Sequence, residues 1–171
     1  MAWDVFTYSV VLGGERRDVV SPVDGRWLFD HGYGLAPTAI FGVLLRLRED
    51  GGGIEPENFR QNRPCVDVLH EVVAAEAPRT RATRRQAKRQ GGGYLYMLDG
   101  RTPDPEGTVP GEDIIGAFSL RDGGIVPGSY QPNPQHKLLT AGGFFVLPPE
   151  LEGALMDRMR ADCARGGPPA S

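Results

Sequence analysis

The chain has 171 residues, a hydrophobic fraction of 40%, a charged fraction of 24% and a formal net charge of −3. This length is enough for one domain with a substantial core. The negative charge is the opposite of what proteins that wrap nucleic acid usually carry. Two cysteines without CxxC spacing, no visible secretory signal and no long apolar run predict a soluble, cytoplasmic protein without a membrane segment. The abundance of Arg, Gly, Pro and Ala favours a bacterial source.

The first predicted element is a strand over residues 3–12, which are rich in aromatic and β-branched side chains and end at Gly13-Gly14. Residues 15–26 are predicted to form a charged turn region, and residues 27–29 a short buried segment. A first helix is expected over residues 37–50, because Pro37 suits a first helical turn and apolar residues follow at helical spacing.

The middle of the chain predicts a second helix over residues 64–77 and a further helix within residues 79–90. Strands are expected at 94–98 and 114–120, followed by a hairpin turn at 122–124. Residues 127–136 contain three prolines, which excludes a central strand there. A last helix is predicted over residues 149–161, and residues 164–171 are predicted to be a disordered tail.

The order of these elements predicts the α+β class. The helices cluster between residues 37 and 90 and most strands follow residue 94, so the βαβ alternation of a doubly wound sheet is absent from the pattern. We therefore expect a single domain over residues 1–163. A mixed or antiparallel sheet would pack against helices at 37–50, 64–77 and 149–161.

A basic run lies between residues 79 and 89, where six cations occur without an acidic residue. On a helix, four of them would share one face: Arg81, Arg84, Arg85 and Lys88. Such a stripe can bind phosphates or an acidic protein, but no aromatic residue interleaves and base stacking is not indicated. The alternative is a solvated face that pairs with the acidic residues that follow in the chain. These are Asp99, Asp104, Glu106, Glu112 and Asp113.

Three histidines and one cysteine are candidates for chemistry. His31 lies in a predicted loop, His70 lies among apolar residues of the second helix, and His136 stands beside Lys137, with which it could hold a phosphate or carboxylate. The spacings of the histidines fit no metal site, so we predict neither a metal nor a cofactor. Cys65 would begin the second helix, where the helix terminus lowers a thiol pKa and favours a nucleophile. An ordinary buried thiol is the alternative.

The segment 129–136 is polar, stiffened by prolines, and carries Tyr130. Recognition residues often lie on such loops, which makes Tyr130 and His136 candidates for binding. A simple crossover with turn-forming residues is the alternative. The glycine triplets at 51–53 and 91–93 lack the spacing of a phosphate-binding loop.

Two stretches, Gly93-Tyr94-Leu95-Tyr96-Met97 and residues 109–116 (VPGEDIIG), carry a family resemblance. Together they resemble parts of bacterial ADP-ribosyltransferase toxin domains, which often show a Tyr-rich core strand and a later proline–isoleucine–glycine element. The catalytic glutamate motif of that family has no clean match, since Asp104-Pro105-Glu106 lies too near Pro110. The family's N-terminal arginine strand is not evident either. We carry over no catalytic residue.

Two functions follow as hypotheses. The first is a cytoplasmic protein-binding domain of the inhibitor or immunity type, as in toxin–antitoxin pairs, in which the acidic loop 99–113 would contact a basic partner. The segments 79–90 and 99–113 are the features expected to meet a partner. The second is a small enzyme or toxin-like domain that acts on a nucleotide or nucleic acid. In that case His31, His136 and Asp104 or Glu106 would surround one cavity beside the basic helix. The basic run leaves a nucleic-acid partner open, but the net charge does not favour it.

Overall fold

The computed structural model describes residues 3–102 and 108–166. Its helices and strands confirm the predicted α+β class, and the strand pairings within these residues are antiparallel. The chain divides into two units, which are described separately. The N-terminal unit consists of Ala2–Val68, Leu138–Phe144 and Leu155–Ser171, and the central unit of Leu69–Lys137 and Phe145–Ala154. The single domain expected over residues 1–163 stays a prediction.

The described residues contain four α-helices: α1 (Gly25–His31), α2 (Arg63–Glu76), α3 (Arg81–Gln90) and α4 (Pro149–Arg165). They also contain ten strands: β1 (Phe6–Leu12), β2 (Glu15–Ser21), β3 (Gly42–Leu44), β4 (Phe59–Gln61), β5 (Gly93–Leu98), β6 (Ile114–Arg121), β7 (Gly124–Ile125), β8 (Gln131–Pro132), β9 (Leu139–Thr140) and β10 (Gly143–Phe144). One sheet has the order β1-β2-β3-β4, a second pairs β9 with β10, and the third has the order β5-β6-β7 with β8 also paired to β6.

A hairpin of β1 and β2 opens the N-terminal unit. Gly13 and Gly14 form its turn with φ values of 60° and 83°, the two positive angles that suit the right-handed twist of the flanking strands. The predicted charged turn region over residues 15–26 is therefore wrong, because the two-glycine turn lets the chain continue directly as β2. Glu15 and Arg16 occupy the exposed start of β2, and Val19 and Val20 lie in the core.

The helix predicted over residues 37–50 is also wrong. Pro37–Ala39 and Arg48–Asp50 form short 3-10 helices, and β3 lies between them. β3 pairs with β2 on one edge and with β4 on the other, which satisfies its backbone. A Cβ on Gly42 would lie 2.3 Å from the Phe59 ring, so only glycine allows this approach. A short apolar run does not distinguish helix from strand by periodicity alone.

The other predicted helices are confirmed, with changed ends. α2 matches the helix expected at 64–77, and α3 the helix expected within 79–90. α4 continues past residue 161 to Arg165, so the start of the predicted tail is helical, and residues 167–171 lie outside the described residues. The segment 27–29 belongs to α1, where Leu28 is buried and Phe29 is exposed.

The sheet of the central unit presents one face to α3. β5 and β6 pair with Leu95 opposite Phe118, and both side chains are buried. Ala87 of α3 packs in one cluster with Leu95 and Leu120, and Ile125 adjoins it. The alternation of buried and exposed residues along β5 leaves Tyr94 and Tyr96 on the opposite, exposed side.

Asp18 is a buried carboxylate in the N-terminal unit. Ser9 Oγ donates to its Oδ1 at 2.7 Å, and the main-chain N–H of Arg48 donates to its Oδ2 at 3.0 Å. The Arg48 N–H, followed by the Ser9 hydroxyl, holds the pKa of Asp18 below its ordinary value of 3.8. The carboxylate therefore ties β1 and β2 to the segment that follows β3.

The low pKa of Asp18 predicts an acid-sensitive contribution to folding. A carboxyl whose pKa is lower in the folded chain stabilises it above the unfolded pKa, and this contribution is lost as the pH falls through the folded value. We expect D18N to lower the free energy of unfolding at pH 7 by about 1 kcal/mol. It should also flatten the loss of stability below pH ~4. Urea denaturation at pH 7 and pH 3 measures both effects, and D4N, at an exposed carboxyl, should change neither.

Candidate functional site

Helix α3 is held by few contacts. Thr80 caps its start, where the Oγ1 accepts a hydrogen bond from the Thr83 N–H, and at its end the Gly91 N–H donates to the Ala87 carbonyl. Thr83 and Ala87 are its buried residues, and Ala87 packs against Leu95. These two small side chains lie one turn apart, so a narrow stripe anchors the helix and the rest faces solvent.

The four predicted cations are exposed on α3: Arg81, Arg84, Arg85 and Lys88. The helix contains no acidic residue that could pair with them at i, i+3 or i, i+4. Arg84 Nε donates to the Pro78 carbonyl at 3.0 Å. Within the described residues, the one ion pair of the basic run joins Arg79 to Glu76, whose atoms are 3.7 Å apart. The structure therefore presents these cations as a connected basic face.

The described acidic residues that were expected to neutralise this face have partners outside α3. Asp99 has a side-chain exposure of 0%, and Asp113 is also buried. Asp104 and Glu106 lie outside the described residues. Glu112 has its nearest cation, Lys137, 3.9 Å away. Asp99 thus does not lie on an exposed acidic surface, and the basic run is the stronger of the two candidate contact segments.

A buried ion-pair cluster surrounds Asp99 in the central unit. Arg101 Nη2 lies 2.9 Å from Asp99 Oδ2 and 3.2 Å from Asp113 Oδ1, and the Arg101 side chain is 2% exposed. His136 Nε2 donates to the same Asp99 Oδ2 at 2.9 Å. Thr102 Oγ1 donates to the second oxygen of Asp113 at 2.9 Å. The four charged or titratable groups therefore share one interior site.

Main-chain groups complete this cluster. The Val146 N–H donates to Asp99 Oδ1 at 2.8 Å, and the Arg101 N–H donates to the same oxygen at 3.1 Å. Arg101 Nη2 also donates to the carbonyls of Lys137, at 2.6 Å, and Glu112, at 3.3 Å. Buried charges persist only when such partners replace the lost water. His136, predicted as a loop binding residue, is one of these structural partners.

Tyr130 is also packed inside the central unit instead of extending from its loop. Its hydroxyl lies 2.6 Å from His70 Nδ1, and its ring packs against Phe118 at a tilt of 45°, with the ring centroids 5.0 Å apart. A Cβ on Gly116 would lie 2.6 Å from the Tyr130 ring, so glycine makes room for it. Burial raises the pKa of Tyr130 above its ordinary value. The pair explains why His70 occurs among apolar residues of α2.

The remaining candidate nucleophile and histidine lie in the N-terminal unit. Cys65 is completely buried, and burial raises its pKa to about 12. Cys65 is therefore the ordinary buried thiol and not a nucleophile activated by the helix terminus, because burial disfavours the thiolate. His31 Nδ1 bonds to the Trp27 carbonyl at 2.8 Å, and the His31 ring lies between Trp27 and Tyr33.

Two features are recognised only in the structure: the pair of exposed tyrosines on β5, and the buried Arg101. Tyr94 and Tyr96 are 56% and 54% exposed on one face of β5, directly after the basic helix. Their alternation with Leu95 and Met97 is the period-two signal of a strand with one exposed face. Arg101 is the only cation between Asp99 and Asp113 in the sequence, a weaker signal for an interior partner.

No group of three or more His, Cys, Asp and Glu side chains in the described ranges could hold a metal ion. None of the helices in that part of the chain has the length and apolar character that a membrane crossing requires. Protein-family models, curated proteins and solved structures showed no significant match to this chain.

The cluster predicts a large effect of D99N. The substitution removes the carboxylate shared by Arg101 and His136 and leaves a buried guanidinium with less compensation, so the free energy of unfolding should fall by about 3 kcal/mol. K137Q removes a cation from the exposed pair with Glu112 and should change it by less than about 0.5 kcal/mol. Urea denaturation of both variants measures the difference. Equal stability of D99N and the wild type would contradict the structural role of the cluster.

Proposed function

We propose that this protein is a cytoplasmic protein-binding domain of the inhibitor or immunity type that docks an acidic surface of its partner on α3. The observation that supports this is the basic face of a helix without acidic residues, whose cations form no ion pairs with other described residues. Unlike the acidic residues of the cluster, these cations are exposed to solvent.

The basic face opposes the stability of its own helix. Like charges three or four residues apart repel each other, at a cost on the order of a few tenths of a kcal/mol per exposed pair. Arg81 also stands in the first turn, where the helix dipole disfavours a cation. Among the helix's own residues, only the two small side chains of Thr83 and Ala87 are buried to compensate. An arrangement that weakens the fold and remains exposed is typical of a binding surface, since an acidic partner removes the repulsion.

The charge of the whole chain favours a protein partner over nucleic acid. Its net charge is −3 and its isoelectric point about 5.6, so the chain as a whole repels a long polyanion. A single helix face of four cations matches the size of an acidic patch on a protein. A small enzyme that acts on a nucleotide or nucleic acid stays the alternative. It draws no support from His136, whose side chain is 1% exposed and bonded to Asp99.

The repulsion among the cations of α3 predicts how a triple variant changes stability. R81Q/R85Q/K88Q removes like-charge neighbours while keeping helix-forming side chains, so its free energy of unfolding should be unchanged or higher by up to about 1 kcal/mol. Urea denaturation at low salt measures it. A loss of more than about 1 kcal/mol would instead give these cations a structural role.

The proposed binding predicts that the same variant loses affinity for the partner, although its own stability is unchanged or higher. The tagged chain should retain a partner from its source cells, and R81Q/R85Q/K88Q should lower the affinity of the purified partner at least tenfold, about 1.4 kcal/mol. Rising salt should weaken wild-type binding. The matched control R26Q/R46Q/R60Q removes three exposed cations of the N-terminal unit. Equal losses in both variants, or retention that nuclease treatment abolishes, would contradict the proposal.

A further inference from the structure

Strand β5 lies at an edge of its sheet. It pairs with β6 on one side, and no strand of the described residues pairs with its other side. The main-chain groups along such an edge are a template for an added strand. β5 belongs to the same unit as α3 and follows it after the glycines at 91–93.

The register shows which residues of β5 direct their main chain to this edge. Opposite Tyr94 lies Ser119, whose N–H donates to Ser129 Oγ at 3.0 Å and whose carbonyl accepts from the Val126 N–H at 2.9 Å. Both groups of Ser119 point away from β5. Paired residues of antiparallel strands alternate between bonded and non-bonded pairs, so Tyr94 is in a non-bonded pair. Tyr96, two residues on, is in the next one. The N–H and carbonyl groups of both tyrosines therefore point to the edge.

A hydrogen bond within the chain confirms that the Tyr94 carbonyl points to the edge of the sheet. Gln90 Nε2 donates to the Tyr94 carbonyl at 2.7 Å, which covers the first acceptor of the edge. Residues 94–97 contain neither a charged residue nor a proline, the features that usually protect an edge from pairing. A register shift between Met97 and Leu98 ends the regular pairing. A short template thus extends over residues 94–97.

The side chains of this template suit a protein ligand. Tyr94 and Tyr96 lie on one exposed face, opposite the small residues Ser119 and Ala117 of β6. Tyrosines give a large contact area for little loss of side-chain freedom, and they are frequent in protein recognition sites. The two rings could pack beside alternate side chains of an added strand.

The charges beside the template indicate what would bind there. Gln90, whose side chain reaches the Tyr94 carbonyl, directly follows Lys88 and Arg89 at the end of α3. Ala87 of the same turn packs against Leu95 of β5. The end of the basic helix therefore adjoins the start of the edge, and an extended segment along β5 would meet its cations. Charge complementarity requires that this segment be acidic.

We infer that β5 binds an extended acidic segment of the partner protein as an added strand. Tyr94 and Tyr96 supply the main-chain hydrogen bonds and the side-chain contacts, and the cations of α3 bind the carboxylates of the segment. The inference rests on the proposed function and specifies how the partner of α3 would be recognised.

The test uses synthetic hexapeptides of alternating Glu and Val with blocked ends, titrated into the intact chain and followed by NMR. We expect the peptide to shift the amide signals of residues 94–97, and the alternating Lys–Val peptide not to. Two isomers N-methylated on alternate residues should differ, because only one loses the N–H groups that face β5. Absence of binding, equal binding of the Lys–Val peptide, or equal binding of the two isomers would overturn the inference.

Two variants at one position separate backbone from side chain. Y96P removes the N–H at the edge without breaking a bond to β6, and it should weaken peptide binding at least tenfold. Y96V keeps that N–H and should weaken binding about threefold, through the lost ring alone. Circular dichroism checks that both variants fold. Binding by folded Y96P that equals that of the wild type would overturn strand addition, even if Y96V binds more weakly.

Further measurements identify other occupants. R81Q/R85Q/K88Q should also lower peptide affinity about tenfold. If it does so while Y96P does not, α3 binds the partner but β5 adds no strand. If Y96P lowers peptide affinity while the triple variant does not, the proposed function fails, and so does the inference that the ligand is acidic.

A wild-type dimer in light scattering that is lost in Y96P would assign the edge to a second copy of the chain. Tighter binding of a short DNA duplex than of the peptide would favour nucleic acid as the ligand. Either result, the dimer or the tighter DNA binding, would overturn the inference.

Discussion

The central unit depends on a single buried arginine. Arg101 brings its charge into the interior, where Asp99 and Asp113 lie within 2.9 and 3.2 Å of its Nη2. Leaving such a charge unpaired in the interior costs several kcal/mol, so the surrounding groups must adopt positions that satisfy it. The Lys137 carbonyl accepts a hydrogen bond from Arg101, while His136 and the Val146 N–H donate to Asp99 and hold its carboxylate beside the guanidinium. One cation thereby holds together the end of β5, the segment before β6 and the loop that follows β8.

This constraint also explains the geometry of the exposed edge. Asp99 directly follows β5, and its N–H donates to the Asp113 carbonyl just before β6 begins. The end of the pairing at which β5 stops and β6 starts is therefore fixed at the cluster, next to the register shift at Met97 and Leu98. A template for strand addition requires a backbone that is ordered before the ligand arrives, because an ordered site loses less entropy on binding. The buried charges supply that order.

The sequence predicts the fold class and most of the central unit because its signals there are local. The glycines at 91–93 and the turn Asp122-Gly123-Gly124 bound β5, β6 and α3, and alternation or helical spacing lies between them. The N-terminal unit is harder to predict, since β3 has only three residues and depends on pairing with β2 and β4. Gly42 fits only because the Phe59 ring comes from far along the chain, and no local pattern reveals such a contact. Propensity gives way to tertiary pairing at such positions.

The candidate site, like the fold, is predictable from the sequence only where its signals are local. The basic face of α3 follows from spacing on one helix, which the sequence shows directly. Whether a charged residue is exposed or paired depends on contacts between distant segments, and Asp99 and His136 are 37 positions apart. From the sequence alone, the acidic residues within 99–113 and the cations within 79–89 are equivalent candidates for a charged contact segment. The structure separates them: Asp99 and Asp113 are neutralised in the interior, while the cations of α3 remain in solvent. A net charge of −3 thus conceals an exposed positive surface on the central unit, because the acidic residues that offset it in the sum do not lie beside it on α3.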